Sequence, residues 1–272
     1  MKFYAIILFL SLISCFTIAQ TKLIINKTDG SADSILISQI QSISFRGDEM
    51  KVSNEGLVLY CPFNGNANDS SGNQFNGVVQ NATLTNDRFG NPKSAYSFNG
   101  NGIISFGDIL DSVFCKPLAK FSIVGWAKSL SSLSFGRLII GKLAGGQGPY
   151  QWDVSHFFNT VASCGVFSDS LAQNYQLKRI NLGLNKWFHF ALVFDGSLTS
   201  DQRIMFYVNT DSKLSEFVKV GSLGTTTQNT AKDLTIGGVN VNENNFVGDI
   251  DEIRIYNRAL SEIEILALYR LK

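Results

Sequence analysis

The chain has 272 residues, of which 44% are hydrophobic and 12% aromatic. That is enough apolar material for one substantial core, so one large domain with at most a small addition is expected. The formal net charge is +1, which offers no clustered basic face of the kind that nucleic acid or an anionic membrane surface attracts. Nucleic acid is therefore excluded as an expected partner, and a membrane is expected only through a lipid anchor.

Residues 1–19 have the pattern of a secretory signal peptide, because Lys2 is followed by an apolar run over residues 5–13 and then by small or polar residues. The pattern predicts an extracytoplasmic protein, either secreted or attached to the cell surface. Cleavage after Ala19 would start the mature chain at Gln20. A second reading treats residues 12–15 as a lipobox, with Cys15 lipidated as in an outer-membrane lipoprotein. The run is shorter than the roughly 20 residues that a membrane span requires.

Residues 20–46 predict a small β-rich segment, since two alternating apolar runs lie on either side of the turn signal Asp29-Gly30. Residues 47–55 are charged and polar, and they are interpreted as a linker.

From residue 56 onward, short runs of β-forming residues recur between clusters of Gly, Asn, Asp and Ser, which is typical of an all-β sandwich or barrel. We predict strands over residues 56–61, 94–98, 102–106, 121–128, 137–141, 150–156, 187–194, 204–208, 233–237 and 246–256. The run 187–194 is apolar on both faces, so both of its faces should be covered. His189 lies within it and is interpreted as a hydrogen-bonded core residue. Cys61, Cys115 and Cys164 are interpreted as small buried residues.

One convincing helix is predicted at the end of the chain, from Ser261 to about Leu271. Ser261 and Glu264 form a capping box, and Leu260 with Ile265 can form the hydrophobic staple across it. The apolar stripe of this helix is expected to close over an open edge or end of the sandwich.

Several blocks of the chain resemble laminin-G-like jelly-roll domains of the concanavalin A-like superfamily. The opening of such a domain is matched by residues 56–73 and 95–100, its middle by residues 187–191 with Asp195-Gly196, and its end by residues 248–261. The resemblance implies one domain over residues 56–272, with two antiparallel sheets. It also implies binding of carbohydrate or protein outside the cell and, in many members, a bound calcium ion.

A calcium site is predicted at Asp69, Asn73 and Asp251. If residues 246–256 are extended throughout, Asp251 lies on the same face as Ile253 and Ile255, and a carboxylate buried there needs a partner. The oxygen-rich turn at residues 69–73 suits the preference of calcium for hard oxygen ligands. The alternative is that Asp69 and Asn73 form Asx turns and that Asp251 accepts backbone hydrogen bonds, with no ion.

Tyr150, Trp152 and Tyr175 are the candidate ligand contacts, because they lie near a glycine-rich loop and a polar segment. Aromatic rings beside amides can stack on the apolar faces of sugars. Core packing is an equal alternative for each of them, since alternation turns about half of such residues inward.

No catalytic residue is predicted. Hydrolytic members of the superfamily carry closely spaced acids along one strand, but here Ile253 occupies the position that follows Asp249 and Asp251 on one face. The expected function is a non-catalytic, secreted or surface-attached module that binds carbohydrate through end loops and is stabilised by calcium. The alternatives are an extracellular protein-interaction or adhesion scaffold and, less favoured, a glycoside hydrolase.

Overall fold

The computed structural model describes residues 22–26, 31–39, 52–131, 137–144, 150–157, 161–168, 175–210, 216–220, 222–241 and 245–271. The predicted signal 1–19, Cys15 and residues 47–51 of the predicted linker lie outside these ranges. The chain divides into two compact units, residues 1–49 and residues 50–272. Within the described ranges, no helix is long and apolar enough to cross a membrane.

The first unit contains the antiparallel strands β1 (Lys22–Asn26) and β2 (Ala32–Leu36), paired from Lys22↔Leu36 to Asn26↔Ala32. A short 3-10 turn follows at Ile37–Gln39. The two strands correspond to the two apolar runs that were predicted on either side of Asp29-Gly30.

The second unit is a sandwich of two antiparallel sheets, which confirms the predicted all-β class. In chain order, its strands and first helix are β3 (Leu57–Cys61), β4 (Val78–Gln80), β5 (Thr83–Thr85), β6 (Ala95–Asn99), β7 (Ile103–Ser105), α1 (Asp111–Phe114), β8 (Lys120–Ser129), β9 (Arg137–Leu143), β10 (Tyr150–Phe157) and β11 (Val161–Phe167). They are followed by β12 (Tyr175–Asn181), β13 (Trp187–Asp195), β14 (Ile204–Val208), β15 (Glu216–Val220), β16 (Leu234–Ile236), β17 (Val247–Tyr256) and α2 (Glu262–Arg270).

One sheet has eight strands in the order β15-β12-β11-β10-β9-β16-β7-β4. The other has seven, in the order β14-β13-β8-β17-β6-β5, with β3 also paired to β17. All ten predicted strands are present within one or two residues. Five strands were not predicted: β4, β5, β11, β12 and β15.

The core lies between the inner faces of the two sheets. Trp152 and Val154 of β10 belong to it from one side, and Phe190 and Leu192 of β13 from the other. The opposite face of β13 is also covered, because Ala191 and Val193 pack in a second apolar cluster with helix α2. The prediction that strand 187–194 has both faces covered is therefore confirmed.

Helix α2 lies over a face of the seven-stranded sheet, and the expectation that it closes an edge or end was wrong. Ile265 and Leu268 pack with Val124, Tyr207 and Tyr256, which belong to three strands of that sheet. These outward-facing residues are apolar, so the sheet itself provides the surface that the helix buries.

The predicted capping box is confirmed. The Ser261 hydroxyl accepts the backbone N–H of Glu264, and the Glu264 carboxylate accepts the N–H of Ser261 at 2.9 Å. Arg258 donates to the same carboxylate at 2.6 Å. This hydrogen bond, together with those from Ser261, lowers the pKa of Glu264 to about 2.

Replacing Ser261 with alanine should lower the free energy of unfolding by about 1 kcal/mol, because the first turn of α2 loses its side-chain acceptor. Urea denaturation followed by circular dichroism measures the change. Ser112→Ala is the matched control, since Ser112 is exposed in α1 and should change stability by less than about 0.5 kcal/mol. Equal effects of the two substitutions would contradict the capping role.

Candidate functional site

The outer face of the eight-stranded sheet carries one carboxylate between two glycines. Asp153 of β10 pairs with Gly141 of β9 on one side and with Gly165 of β11 on the other. Its chain neighbours Trp152 and Val154 belong to the core, so alternation turns Asp153 away from the core. Both glycines are themselves buried.

The Ser155 hydroxyl donates to Asp153 Oδ2 at 2.5 Å, and no other described residue bonds this carboxyl. Within the part of the chain that the structure describes, Asp153 forms no ion pair. The side chain is partly exposed, yet desolvation by the surrounding protein raises its pKa to about 6. A carboxyl with a pKa shifted in this way is a candidate functional group.

Two buried hydroxyls on the same face have no hydrogen-bond partner among the residues that the structure describes. Thr235 of β16 pairs with Gly141, which places it in the same row as Asp153, and Ser163 of β11 pairs with Ser155. Thr235 is 4% exposed and Ser163 1% exposed, and neither Oγ atom is bonded. Buried polar atoms are rarely left unpaired, so these hydroxyls are candidate ligand contacts.

Apolar groups border the same carboxylate on the side of β9. Leu138 and Leu143 lie beside Gly141, where an added Cβ would approach Leu138 Cδ1 to 2.8 Å and Leu143 Cδ2 to 3.0 Å. A cleft of about 300 Å³ continues from Leu143 past Thr235, with Lys232, Asp233 and Asn240 in its lining. The row therefore combines apolar walls with polar groups, as small-molecule sites do.

Of the three aromatic residues predicted as ligand contacts, Tyr150 lies beside this row. It pairs with Leu143 at the end of β10 and is half-buried, and its ring lies 5.1 Å from the ring of Phe167. The prediction for Trp152 was wrong, because its side chain is fully buried and packs against Phe114 in the core. Tyr175 begins β12, and its side chain lies outside the described residues.

We name Asp153, Gly165, Ser163, Thr235 and Tyr150 the Asp153 site. Sequence reasoning missed its central residue, although a signal was present. In residues 150–156, polar side chains alternate with Trp152, Val154 and His156, and this period of two assigns Asp153 to the face opposite Trp152.

The predicted orientation of Asp251 was wrong. Asp251 pairs with Trp126, whereas Arg254 pairs with Val124, so β17 uses three steps where β8 uses two. This β-bulge is centred on Glu252, which has a φ of 54°. The extra residue reverses the alternation, so Ile253 faces the core while Asp251 lies on the outer face with Trp126.

Asp251 belongs to a buried polar cluster on the outer face of the seven-stranded sheet. It is 2% exposed, and its Oδ2 lies 3.2 Å from Arg88 Nη1. The Arg88 guanidinium also stacks 4.6 Å from the Trp126 ring and donates to the Leu271 carbonyl at 2.9 Å. We name Arg88, Asp251, Trp126, His189 and Tyr269 the Arg88 cluster. Its role is to hold the 86–91 loop and the end of α2 on the sheet.

The pKa values of two residues in the Arg88 cluster, Asp251 and His189, are strongly shifted. Burial, with a further contribution from Glu252, raises the pKa of Asp251 to about 7 in spite of Arg88. Burial lowers the pKa of His189 to about 3, which keeps its ring neutral. Asp251 Oδ1, Arg88 Nε and His189 Nδ1 are buried and have no partner within the described ranges. The expectation that His189 is buried is confirmed, but its Nδ1 is not hydrogen-bonded.

The residues predicted to bind calcium do not form one site. Asp69 Oδ1 accepts the backbone N–H of Tyr60 at 3.0 Å and that of Ser71 at 2.8 Å, and Oδ2 accepts the Ser71 hydroxyl and the N–H of Phe75. Asn73 donates its amide to the carbonyl of Val58 at 3.1 Å. These are the bonds of an Asx-type turn.

Asp251 shares no bonding partner with Asp69, since its carboxylate is held by Arg88 in another loop. Among the described residues, no group of three or more His, Cys, Asp or Glu side chains is close enough to hold a metal ion. The donor set named for calcium therefore does not fit the ion, and calcium binding stays a prediction from the resemblance.

At another place in the sandwich, a buried lysine ammonium group lies among several oxygen atoms. Lys142 of β9 is fully buried, and its Nζ donates to Asp108 Oδ1 at 2.5 Å, to Asp111 and to the Ile109 carbonyl at 3.1 Å. This ammonium group fixes the segment that leads into α1. Sequence reasoning did not detect this ion-pair cluster, because its two carboxylates precede the lysine by about 30 residues.

The family-model comparison places most of the second unit in one family. A family model described as the concanavalin A-like lectin/glucanases superfamily matches residues 98–266. The search of curated proteins found no match.

Solved structures show the same fold. Domain 4 of the extracellular GH43 arabinanase AbnA from Geobacillus stearothermophilus, solved with arabinotriose, is 19% identical over 79% of this chain and 98% of that domain, with a TM-score of 0.56. The ligand-binding domain of botulinum neurotoxin serotype D, solved with N-acetylneuraminic acid, is 17% identical with a TM-score of 0.59. The match covers 82% of this chain but only 52% of the toxin domain. At these identities, the likeness shows the fold alone.

Proposed function

Since the chain belongs to the concanavalin A-like lectin/glucanases superfamily, we propose that it is a non-catalytic carbohydrate-binding module whose ligand contacts the Asp153 site. The carrying observation is a half-buried carboxylate that no described cation pairs, on the same sheet face as two buried hydroxyls that have no partner among the described residues. Two of the structures with this fold were solved with saccharides, arabinotriose and N-acetylneuraminic acid. We place the module outside the cytoplasm on the signal pattern of residues 1–19.

The chemistry of the site suits a sugar. The carboxylate of Asp153 can accept hydrogen bonds from sugar hydroxyls, and Thr235 and Ser163 supply hydroxyls that no described residue bonds. The half-buried ring of Tyr150 and the apolar side chains of Leu138 and Leu143 can contact the C–H faces of the sugar. In this binding mode the sugar contacts the protein directly, without calcium.

The same geometry disfavours glycoside hydrolysis. Glycosidases place two carboxyl groups about 5 to 9.5 Å apart. The next acid along the described part of the cleft is Asp233, and the strand spacing separates its Cα from that of Asp153 by roughly 12 Å. The Asp233 carboxylate is also turned away from Asp153, because Ser105 of β7 donates to it at 2.7 Å.

A glycan-array screen followed by isothermal titration calorimetry tests the proposal. The wild-type protein should bind at least one glycan, and Asp153→Asn should weaken that binding roughly 10- to 100-fold, because one charge-assisted hydrogen bond contributes about 1.5–3 kcal/mol. Asp249→Asn is the matched control, since Asp249 is a buried acid on the outer face of the other sheet, 2.6 Å from Lys128 Nζ.

Two results would contradict the proposal. If no glycan binds, the result favours the alternative of an extracellular protein-interaction or adhesion scaffold. If incubation with a polysaccharide panel releases reducing ends at a rate that depends on Asp153, the protein is a glycosidase.

A further inference from the structure

The ammonium group of Lys142 is the centre of a compact set of oxygen atoms beside the segment that leads into α1. Its Nζ lies 2.5 Å from Asp108 Oδ1 and 3.1 Å from the Ile109 carbonyl oxygen, and Asp111 accepts a third hydrogen bond. An ammonium group has three donors, so each donor has an acceptor. The three acceptors all come from one stretch of four residues, 108–111.

The lysine reaches these oxygen atoms from the inside of the sandwich. Lys142 pairs in register with Trp152 of β10 and with Leu234 of β16, and both partners belong to the core. The side chain of Lys142 is 0% exposed, whereas those of Asp108 and Asp111 are 41% and 29% exposed. The apolar stem of the lysine therefore passes through the core and presents its charge to carboxylates at the surface.

The oxygen set around Lys142 has the composition of a divalent-cation site. Two carboxylates and one backbone carbonyl are hard oxygen ligands of the kind that calcium binds. The charges agree with this composition, because two carboxylates face a single positive charge, and a divalent ion would neutralise both. No other cation in the described part of the chain pairs with Asp108 or Asp111.

The segment 108–111 depends on a cation for its conformation. Leu110 has a φ of 65°, and it begins a helix of only four residues without a side-chain cap. The left-handed conformation is unfavourable for a leucine. Asp108 and Asp111 also repel each other unless a positive charge lies between them. The cation therefore holds together a segment that local interactions alone do not stabilise.

We infer that Lys142 supplies from within the chain the cation that this oxygen set requires, so that the set is a divalent-cation site closed by the protein's own ammonium group. The three residues named for calcium, Asp69, Asn73 and Asp251, do not come together as a donor set. At Lys142 the donors are present, but the lysine excludes a metal ion by its volume and its charge. The segment is thus ordered without metal, and removing the charge of Lys142 opens the site to calcium. This inference does not depend on the proposed function.

Two substitutions test the inference through the melting temperature, measured in EDTA and in about 10 mM calcium, which exceeds the Kd of typical extracellular calcium sites. Lys142→Gln removes the charge and leaves an amide oxygen, which is a calcium ligand. Lys142→Met is the matched control, because it has a similar volume and no charge, but its thioether is a soft ligand that calcium does not favour. In both variants the carboxylates stay partly exposed, so water solvates them and the fold is retained.

In EDTA, both variants should melt below the wild type. Calcium should raise the melting temperature of Lys142→Gln by at least about 3 °C more than that of the wild type, the shift expected when a site is filled at roughly ten times its Kd. Lys142→Met should gain less than half of this rise. Adding Asp108→Asn to Lys142→Gln should abolish it, because one of the two carboxylate ligands is lost.

A calcium-induced rise of Lys142→Gln no larger than that of the wild type would overturn the inference. An equal rise in the double variant with Asp108→Asn would also overturn it, since the ion would then lie elsewhere. If Lys142→Gln does not fold in EDTA, refolding from urea with and without calcium replaces the melting curve. Recovery that requires calcium supports the inference, and equal recovery in both conditions, or recovery in neither, overturns it.

Discussion

Replacing Asp251 with alanine is expected to lower the free energy of unfolding by about 2–3 kcal/mol near pH 5, the cost of leaving a buried charged donor without its acceptor. Its partner Arg88 has a side chain that is 7% exposed, and a guanidinium group cannot lose its proton. The substitution therefore leaves the buried Arg88 charge without the carboxyl oxygen that accepts its hydrogen bond.

Replacing Arg88 with leucine should lower the free energy of unfolding by less, about 1–2 kcal/mol near pH 5. The two substitutions differ because the acid that remains can become neutral, whereas the guanidinium group cannot. Asp251 already has a pKa of about 7, so it can bind a proton and become neutral once Arg88 is gone. What is then lost is the bond to the Leu271 carbonyl and the packing on Trp126. Urea denaturation followed by tryptophan fluorescence measures both variants.

The control is Asp249→Ala on the same strand. Lys128, the partner of Asp249, has a side chain that is 23% exposed, so water can solvate it and the loss should stay below about 1 kcal/mol. Equal costs for Asp251→Ala and Asp249→Ala would contradict the role assigned to the Arg88 cluster.

The same residue gives stability a defined dependence on pH. In the folded chain, the pKa of Asp251 is about 7, compared with about 3.9 in an unfolded chain. Between these values the native state binds more protons than the unfolded state, so the free energy of unfolding falls as the pH rises from 4 to 7. In Asp251→Asn, this part of the slope should disappear.

Replacing Asp153 with asparagine is expected to weaken glycan binding roughly 10- to 100-fold and at the same time to stabilise the protein by about 1–2 kcal/mol at pH 7. A pKa raised from 3.8 to about 6 corresponds to roughly 3 kcal/mol of unfavourable ionisation, which partial exposure reduces. Asparagine still accepts the Ser155 hydroxyl, so the hydrogen bond is kept. The melting temperature should rise by roughly 2–6 °C for a domain of this size.

The sign of this effect identifies the residue as functional. A structural carboxylate stabilises the fold, whereas a ligand-binding residue commonly costs stability in the free protein. The stabilisation should vanish below about pH 3, where Asp153 is neutral in both the folded and the unfolded chain. A lower melting temperature for Asp153→Asn at pH 7 would show that Asp153 is structural and would contradict the assignment of the site.

Much of the fold could be predicted from the sequence because its strands are long and alternate cleanly. The apolar run around Phe190 and the capping box at Ser261 were recognisable without tertiary information. The five strands that were missed have weak local signals. Strand β11 contains Gly165 in its interior, and β4 and β5 have three residues each. Such strands are held by pairing with their neighbours, which local patterns do not show.

The site was harder to predict, for two physical reasons. A single bulge at Glu252 reversed the alternation along β17, so an argument from regular alternation assigned Asp251 to the wrong face. In β10, alternation separates Trp152 from Asp153, but it does not say which of the two faces is the core. The face was fixed by contacts with Phe114 and Phe121 of other elements, and these contacts turned the large aromatic ring inward and the carboxylate outward.

The most direct test is a crystal structure of the protein soaked with the oligosaccharide that binds best in calorimetry. We predict ligand density on the outer face of the eight-stranded sheet, with a sugar oxygen atom within hydrogen-bond distance of the Asp153 carboxylate. Density on the seven-stranded sheet instead, at the rings of Trp126, Tyr269 and Phe89, would contradict the assignment of glycan binding to the Asp153 site.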